Sequence, residues 1–192
     1  MRQVLVDYGN VVSLPFSPDC FAEMARLAGL SEQVLEERYW EHRLAYDRGG
    51  SAYDYWSAIA GPAVGEDLSL VSQLESLDTQ GWLRINPDAV VWLQKLIALG
   101  HRPWLLSNAP HHLADVVETL PLASLFEGMI FSARLGVAKP ERECFAAAWD
   151  AMDVAPEEIF FIDDRERNIV AAREYGMTAQ LFTGHFPDLA IE

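Results

Sequence analysis

The chain has 192 residues, of which 51% are hydrophobic and 22% are charged. This is the composition of a folded globular protein, long enough for one compact domain with a small insertion. The formal net charge is −15, from 14 Lys and Arg against 29 Asp and Glu, which argues against nucleic-acid and anionic-membrane partners, since both require a concentrated basic surface. An acidic protein holds an anionic phosphate only with a local positive charge, such as a metal ion with a lysine.

The cysteines and the apolar runs bear on the compartment. Cys20 and Cys144 are far apart and belong to no Cys-x-x-Cys or Cys/His grouping, so we expect small core residues rather than a disulfide framework or a zinc site. The first apolar run, 4–6, stops at Asp7, and no uninterrupted apolar run approaches membrane-spanning length. We therefore expect a cytoplasmic protein without a signal peptide or membrane span, either a monomer or a homodimer.

The first predicted strand, 4–6, is followed by a long segment that predicts only helices. These helices are 17–27, 31–46, 52–60 and 68–77. After this segment the pattern changes, and short apolar strands alternate with amphipathic helices. The predicted strands are 103–106, 129–131, 159–162 and 179–182, and the predicted helices are 87–99, 111–120, 141–152 and 169–175.

This alternation is typical of an α/β protein with a Rossmann-like parallel sheet core covered by helices. The helical segment interrupts it after the first strand, so we expect an insertion above the carboxyl ends of the strands, where open α/β sheets bind ligands. The predicted organisation is a core domain at 1–14 and 84–192 with a small helical cap at 15–83.

Polar side chains follow three of the predicted strands. They are Asp7, the pair Ser107-Asn108 and the pair Asp163-Asp164, with Lys139 on the loop after the third strand in chain order, 129–131. Because the carboxyl ends of parallel strands meet at one edge, these distant segments are expected to converge. Carboxylates that converge repel one another unless a cation neutralises them, and oxygen ligands suit Mg²⁺. With a lysine and a hydroxyl added, such a site can hold a phosphoryl group while a carboxylate attacks it.

Each strand end also carries a recognisable motif. The motifs are 6–12 (VDYGNVV), 105–108 (LLSN), 136–140 (GVAKP) and 161–164 (FIDD), the last followed by Asn168, Ala171 and Gly176. Over essentially its whole length the chain resembles the haloacid-dehalogenase-like hydrolase superfamily, whose four motifs these are similar to, in the same order. The helical segment resembles the first class of cap in that superfamily. The first motif looks most like the bacterial Asp-x-Gly-Asn-Val branch, which includes sugar-phosphate phosphatases.

The resemblance implies a Mg²⁺-dependent phosphatase acting on small phosphorylated metabolites, sugar phosphates in particular. Asp7 would be the nucleophile that forms an aspartyl-phosphate, and Lys139 would neutralise charge on both the nucleophile and the phosphate. The implied metal ligands are Asp7, Asp164 and the backbone carbonyl of Gly9, and the implied phosphate-binding residues are Ser107, Asn108 and Lys139. Asp163 and Asn168 would orient Lys139 and the water bound to the metal.

One position departs from the superfamily pattern. Most of its phosphatases carry a second aspartate two residues after the nucleophile as general acid and base, and Gly9 stands there. General acid catalysis contributes roughly 10²–10⁴-fold. We favour a leaving group that needs no proton, as in anomeric sugar phosphates. The alternatives are a proton from His111, His112 or a cap carboxylate such as Asp47, or slow turnover.

The helical segment holds an aromatic and charged cluster. Its members are Arg43, Tyr46, Asp47, Arg48, Tyr53, Tyr55 and Trp56. Aromatic residues at helical spacing are more often core than pocket. We nevertheless name Arg43, Tyr46 and the loop residue His111 as candidate substrate contacts, although an exposed first-turn residue is the simpler interpretation of His111.

Two rival functions remain open from the sequence. A metal-independent dehalogenase needs no general acid, but its subgroup carries a tyrosine one position later than Tyr8 and lacks an acidic pair like Asp163-Asp164. A catalytically weak binding protein is favoured by Gly9. It is disfavoured because Asp7, Ser107, Lys139 and Asp164 are all retained.

Overall fold

The computed structural model describes residues 3–188. Its strands form one five-stranded parallel sheet in the order β3-β2-β1-β4-β5. The strands are β1 (Gln3–Val6), β2 (Arg102–Ser107), β3 (Gly128–Phe131), β4 (Ile159–Asp163) and β5 (Thr178–Leu181). All five predicted strands are confirmed to within one residue at each end, and so is the α/β fold class.

The central strands β1 and β4 are buried along their whole length and mostly apolar, because helices cover both faces of the sheet. Successive side chains of a strand point to opposite faces, and the packing follows this rule. Val4 and Val6 of β1 belong to one hydrophobic cluster, together with Phe160 and Ile162 of β4. Leu5 belongs to the cluster on the other face, with Phe161 and Ile159.

Five helices belong to the sheet-covering part of the chain. They are α6 (Pro87–Ala98), α7 (His111–Val117), α8 (Ser132–Leu135), α9 (Arg142–Met152) and α10 (Glu166–Glu174). Short 3₁₀ turns at Pro121–Leu125 and Pro156–Glu158 complete the connections. The N-terminus of α6 is capped as expected, with Pro87 at its first position and the Asn86 side chain accepting a hydrogen bond from the Asp88 N–H.

The helical segment contains five helices packed around a third hydrophobic cluster of their own. They are α1 (Pro18–Ala28), α2 (Glu32–Asp47), α3 (Ala52–Ala60), α4 (Pro62–Glu66) and α5 (Leu68–Trp82). The chain leaves and re-enters the core side by side, through an antiparallel bridge between Ser13 and Ile85. This arrangement supports an insertion near 15–83, whose boundaries remain a prediction.

Three helix boundaries differ from the sequence prediction by more than one residue. The predicted helix 111–120 ends at Val117, because Leu120 precedes Pro121 and is therefore extended. The predicted helix 169–175 begins earlier, at Glu166. The predicted end of 68–77 is wrong by five residues, since α5 continues through Asp78 to Trp82 with Asp78 buried.

Other features were not predicted or bear on earlier expectations. An irregular turn, Tyr8–Val12, follows β1 directly, with non-helical backbone at Gly9 and Asn10. The short helices α4 and α8 have no counterpart in the prediction. Neither cysteine forms a disulfide; Cys144 is buried as expected, whereas Cys20 is half-buried. Within residues 3–188, no helix has both the length and the apolar character needed to cross a membrane.

Candidate active site

The carboxyl ends of β1, β2 and β4 place the predicted residues on one rim of the sheet. Val6 is aligned with Leu105 and with Ile162, so the residues that follow these positions are neighbours. The N–H of Asp7 donates to the carbonyl of Ile162 at 3.0 Å, which extends the sheet pairing by one residue. Asp7 is 7% exposed and Ser107 is 3% exposed, and both line one cavity.

Lys139 joins the two acidic strand ends. Its ammonium donates to Oδ1 of Asp7 at 2.6 Å, to Oδ2 of Asp163 at 2.7 Å and to the carbonyl of Leu106 at 2.8 Å. Burial alone would lower the pKa of Lys139, but the two carboxylates reverse that effect and hold the pKa above its ordinary value. The lysine therefore stays charged although it is 1% exposed.

Asn108 holds the backbone of Lys139 in place. Its side-chain oxygen accepts from the Lys139 N–H at 2.8 Å, and its side-chain nitrogen donates to the Lys139 carbonyl at 3.0 Å. Asn108 also lines the cavity, so its predicted contact with phosphate stays a prediction. The sequence did not predict its positioning role.

Asp163 is fully enclosed by donors. In addition to Lys139, its oxygens accept twice from the Asn168 side chain at 2.9 Å and once from the Arg165 N–H at 2.8 Å. The residue is 0% exposed. A carboxylate with these partners is suited to orienting Lys139, the role that the resemblance implies for Asp163 with Asn168.

Of the two carboxylates that contact Lys139, Asp7 is the one that faces the cavity. Burial raises its pKa to about 7, Lys139 opposes the increase, and Asp163 and Asp164 add to it. One oxygen from each of Asp7, Asp163 and Asp164 lies within 4.8 Å of the others. This oxygen-only set fits a hard cation such as Mg²⁺, which would also neutralise the repulsion.

The turn after β1 brings a further polar group to this set. Asn10 has φ of 59°, a left-handed conformation that asparagine tolerates better than most residues. Its side-chain nitrogen donates to Oδ2 of Asp164 at 2.9 Å. Asn10 therefore fixes the orientation of Asp164, a contact that no sequence pattern indicated.

A cavity of about 470 Å³ lies between this rim and the helical segment. From the core it is lined by Asp7, Tyr8, Gly9, Asn10, Ser107, Asn108, Leu113, Lys139, Asp164, Arg165, Arg167 and Asn168. From the helical segment it is lined by Trp40, Glu41, Arg43, Leu44, Asp47 and Trp82. The first five of these follow one face of α2 at helical spacing, a signal that was readable in the sequence.

The three candidate substrate contacts fare differently. Arg43 lines the cavity, whereas Tyr46 and His111 are not among its lining residues. Tyr46 is buried with its ring stacked on Tyr55, the ring centroids 4.2 Å apart, and its hydroxyl donates to Glu75 at 2.6 Å. His111 is exposed at the start of α7.

Arg43 is held by a buried network rather than presented freely. Its Nη1 donates to both oxygens of Asp78 at 3.0 Å and also to the Tyr39 hydroxyl, and its Nε donates to Oδ1 of Asp47 at 2.8 Å. His112, on α7 of the core, lies 3.1 Å from Oδ2 of Asp78. The network therefore connects the helical segment to the core.

Trp82 occupies the space in front of Gly9. A Cβ placed on Gly9 would lie 3.5 Å from Cζ3 of Trp82, which is ordinary contact. The φ of Gly9 is −65°, so the backbone accepts any residue there. Position 9 thus has no acid, and an indole ring stands where a longer side chain would extend.

Two curated proteins share part of this sequence. The GMP/IMP nucleotidase YrfG of Escherichia coli (strain K12) is 29% identical over 146 residues, which cover 76% of this chain and 61% of that protein. The sesquiterpene phosphatase astK of Aspergillus oryzae is 29% identical over 103 residues, covering 52% and 51%. The chain thus spans between half and two thirds of the length of these relatives.

Solved structures share the fold over nearly the whole chain. The HAD family enzyme bt-2542 of Bacteroides thetaiotaomicron, in its magnesium complex, is 25% identical with a TM-score of 0.78, covering 99% of this chain and 96% of that one. An L-2-haloacid dehalogenase of Xanthobacter autotrophicus has a TM-score of 0.69 at 20% identity, covering 93% and 76%. The family model described as haloacid dehalogenase-like hydrolase matches residues 4–176, and with the rim of Asp7, Lys139 and Asp164 already described, the chain belongs to that family.

Proposed function

We propose that this protein is a Mg²⁺-dependent phosphatase that hydrolyses small phosphorylated metabolites through an aspartyl-phosphate on Asp7. The observation that carries the proposal is the environment of Asp7. Its carboxylate contacts Lys139 at 2.6 Å, lies within 4.8 Å of Asp163 and Asp164, and opens into the cavity. This combination suits attack on a phosphorus atom whose oxygens are neutralised by fixed positive charge.

Each residue of the rim has a task in this reaction. Asp7 attacks phosphorus as the bond to the leaving oxygen breaks, and water then cleaves the aspartyl-phosphate. Lys139 holds the nucleophile and balances charge on the phosphoryl oxygens, while Ser107 and nearby N–H groups bind those oxygens. Bound Mg²⁺, held by Asp7, Asp164 and the Gly9 carbonyl, would supply further neutralisation of the phosphoryl charge.

Sugar phosphates are the proposed substrates, as the Asp-x-Gly-Asn-Val motif suggests. Purine nucleoside monophosphates are a second candidate because one relative is a GMP/IMP nucleotidase. A feature of the cavity mouth supports this second candidate: Trp40 is 42% exposed, and the Arg165 guanidinium lies 5.8 Å from its ring centroid. An indole and a guanidinium are both surfaces on which a planar base stacks.

A metal-independent dehalogenase remains the alternative enzyme, since dehalogenases share the fold at 20% identity. The three-carboxylate cluster argues against it, because Asp7, Asp163 and Asp164 leave more negative charge than Lys139 alone neutralises. A halide leaving group also gives no reason to assemble a cation site.

The test is a screen of sugar phosphates and nucleoside monophosphates for phosphate release, with Mg²⁺ and with a chelator, in the wild type and Asp7→Asn. We expect release that needs both Mg²⁺ and Asp7. Release that persists after chelation and in Asp7→Asn would refute the proposal. Halide release from a 2-haloacid under chelation would favour the alternative enzyme.

A further inference from the structure

Cleavage of an ordinary phosphate ester leaves an alkoxide that needs a proton, and Gly9 cannot donate one. Among the described residues, the carboxyl and imidazole groups that line the cavity are only four, and none is a histidine. Two of them, Asp7 and Asp164, belong to the nucleophile and the cation site. Glu41 is at the mouth with its side chain 69% exposed, so Asp47 is the remaining acid within the cavity.

The charge balance around Arg43 singles out Asp47. Arg43 is a single cation between two buried carboxylates, Asp47 and Asp78. Asp78 receives two hydrogen bonds from Arg43, one from Tyr39 at 2.5 Å and a contact with His112 at 3.1 Å. Asp47 receives one side-chain hydrogen bond, at 2.8 Å from Arg43. Asp78 is therefore the carboxylate that stays ionised, and Asp47 is the one that can carry a proton.

Contacts between the helical segment and the core fix Asp47 in position. Asp47 is the last residue of α2, and its carbonyl accepts from the Ser132 hydroxyl of the core at 2.5 Å. The next residue, Arg48, forms a salt bridge with Glu141 at 2.9 Å. Gly49 packs so closely that a Cβ there would lie 2.8 Å from the carbonyl oxygen of Ala133. The end of α2 is thus docked on the core at the cavity wall.

From this placement we infer that Asp47 protonates the leaving oxygen, an inference that rests on the proposed function. Paired carboxyl groups whose surroundings separate their proton affinities are how enzymes assign acid and base roles. Burial raises the pKa of Asp47, with Arg43 opposing the increase, Asp78 adding to it and Arg165 opposing it. Asp47 is 7% exposed and lies on the helical segment, whereas the nucleophile lies on the sheet.

The proton balances over the two steps. As Asp7 attacks, the bond from phosphorus to the leaving oxygen breaks, and that oxygen takes the proton of Asp47 to become an alcohol. Asp47, now a carboxylate stabilised by Arg43, then accepts a proton from the water that attacks the aspartyl-phosphate. Phosphate leaves, the Asp7 carboxylate is regenerated, and Asp47 is again protonated.

The test compares two aryl esters of nearly the same shape, p-nitrophenyl phosphate and phenyl phosphate. Nitrophenolate leaves readily without a proton, and phenolate leaves poorly. For Asp47→Asn we expect kcat/KM to fall at least about tenfold more for phenyl phosphate than for the nitro ester, toward the full 10²–10⁴-fold of general acid catalysis. Asparagine retains an oxygen for the Nε of Arg43, which favours folding, and circular dichroism would verify this.

Glu36→Gln is the matched control, since it removes the same charge from an exposed position on the same helix. We expect this variant to have the wild-type kcat/KM for both esters. Equal losses on the two esters in Asp47→Asn, or no loss on phenyl phosphate, would overturn the inference. So would a wild type that cleaves only the nitro ester, and in that case the proposed function stands. A wild type that cleaves no phosphate ester refutes the proposed function itself.

A measurement on the wild type provides a second check. A general acid must be protonated to act, so kcat/KM for phenyl phosphate should fall as the pH rises through the pKa of Asp47. The groups that face Asp47 and set this pKa are Arg43 on its own helix, Asp78 on α5 and Arg165 beyond β4. The same alkaline fall for both esters would contradict the role of Asp47.

Discussion

Two buried charge clusters in this molecule share one plan and differ in their surroundings. The rim cluster consists of Lys139 between Asp7 and Asp163, and the cap cluster consists of Arg43 between Asp47 and Asp78. In each, one carboxylate is surrounded by donors and the other opens toward the cavity. The comparison teaches that a single buried cation can hold one carboxylate in place while a neighbouring carboxylate stays open to the cavity.

The two cations differ in how they are used. Lys139 is a compact charge whose three donors all have partners within the core. Arg43 is a planar fork that joins α2 to α5, and Asp78 extends the connection to His112 on α7. We therefore expect the rim cluster to control the rate with every phosphate ester. We expect the cap cluster to control how the helical segment is held and, through Asp47, the rate with esters whose leaving oxygen needs a proton.

The largest expected effect comes from Asp7→Asn. Removing the proposed nucleophile should lower phosphate release by at least about 10³-fold. The stability of the variant, by contrast, should increase when no metal is bound. Because burial raises the pKa of Asp7 to about 7 from 3.8, the native state holds this proton more tightly than the unfolded chain, and stability falls as the pH rises from about 4 to 7. At pH 8 without metal, the variant should melt at a higher temperature than the wild type.

Calorimetry in a chelating buffer measures this difference. A variant that melts at a lower temperature would mean that the ion pair of Asp7 with Lys139 contributes more to stability than burial of the carboxylate removes. The same scan with Mg²⁺ should stabilise the wild type more than the variant, because the cation binds the folded site.

The second prediction compares Lys139→Met with Arg43→Met. Each leaves two buried carboxylates without their cation, so each should lower the free energy of unfolding by roughly 3–5 kcal/mol. Activity should separate them. Lys139→Met should lose phosphate release by about 10²-fold or more, whereas Arg43→Met should retain most hydrolysis of p-nitrophenyl phosphate at a temperature where it stays folded. Equal losses of activity would show that the two clusters are not separable.

The third prediction concerns the stability of the folded protein at acid pH. Burial opposes ionisation of Asp78, but Arg43, His112 and Tyr39 outweigh it and lower the pKa of Asp78 to about 2 from 3.8. A lowered carboxylate pKa stabilises the folded state above the unfolded value, and this contribution is lost as the pH falls from about 4 to 2. The shift corresponds to about 2 kcal/mol. Urea unfolding between pH 2 and 6 should show this dependence in the wild type, and it should be much weaker in Asp78→Asn.

The sequence predicted the sheet and the convergence at its rim well, for a physical reason. In a parallel sheet, a short apolar run and the polar residue after it determine both the strand and the edge where its side chain emerges. The order of the strands and of the polar residues after them therefore predicted that Asp7, Ser107 and Asp163 would lie together. The family motif added the position of Lys139. The neighbouring contacts of Asn10 and Asn108 depend on loop conformation, which no period in the sequence encodes.

The helical segment was less predictable because its contacts are between helices. Asp78 lies beyond the predicted end of its helix, in a polar stretch. Its role becomes clear only when Arg43 is known to lie opposite it. Tyr46 was a candidate substrate contact, yet its hydroxyl donates to Glu75 and its ring stacks on Tyr55. Arg43 and Asp47 were named from the sequence, but their neighbours in the cavity wall, Trp40, Glu41 and Leu44, were not. Only the packing of α5 and α7 decides which side chains of α2 reach the cavity.

The smallest expected effect is that of Gly9→Ala, which tests whether the space at position 9 matters apart from its missing acid. The φ of −65° suits alanine, and the new Cβ would make ordinary contact with Trp82 at 3.5 Å. Alanine should stabilise the protein by about 0.4–1 kcal/mol, because it lowers the conformational entropy of the unfolded chain. The kcat/KM should stay within about twofold because no acid is gained or lost.

Gly29→Ala is the control: its surroundings are open, but its φ is +69°, so the same substitution should destabilise by about 1 kcal/mol. Loss of activity in a stably folded Gly9→Ala would mean that substrate uses the space between Trp82 and the main chain, which would give the glycine a role in binding as well as explain the absent carboxylate.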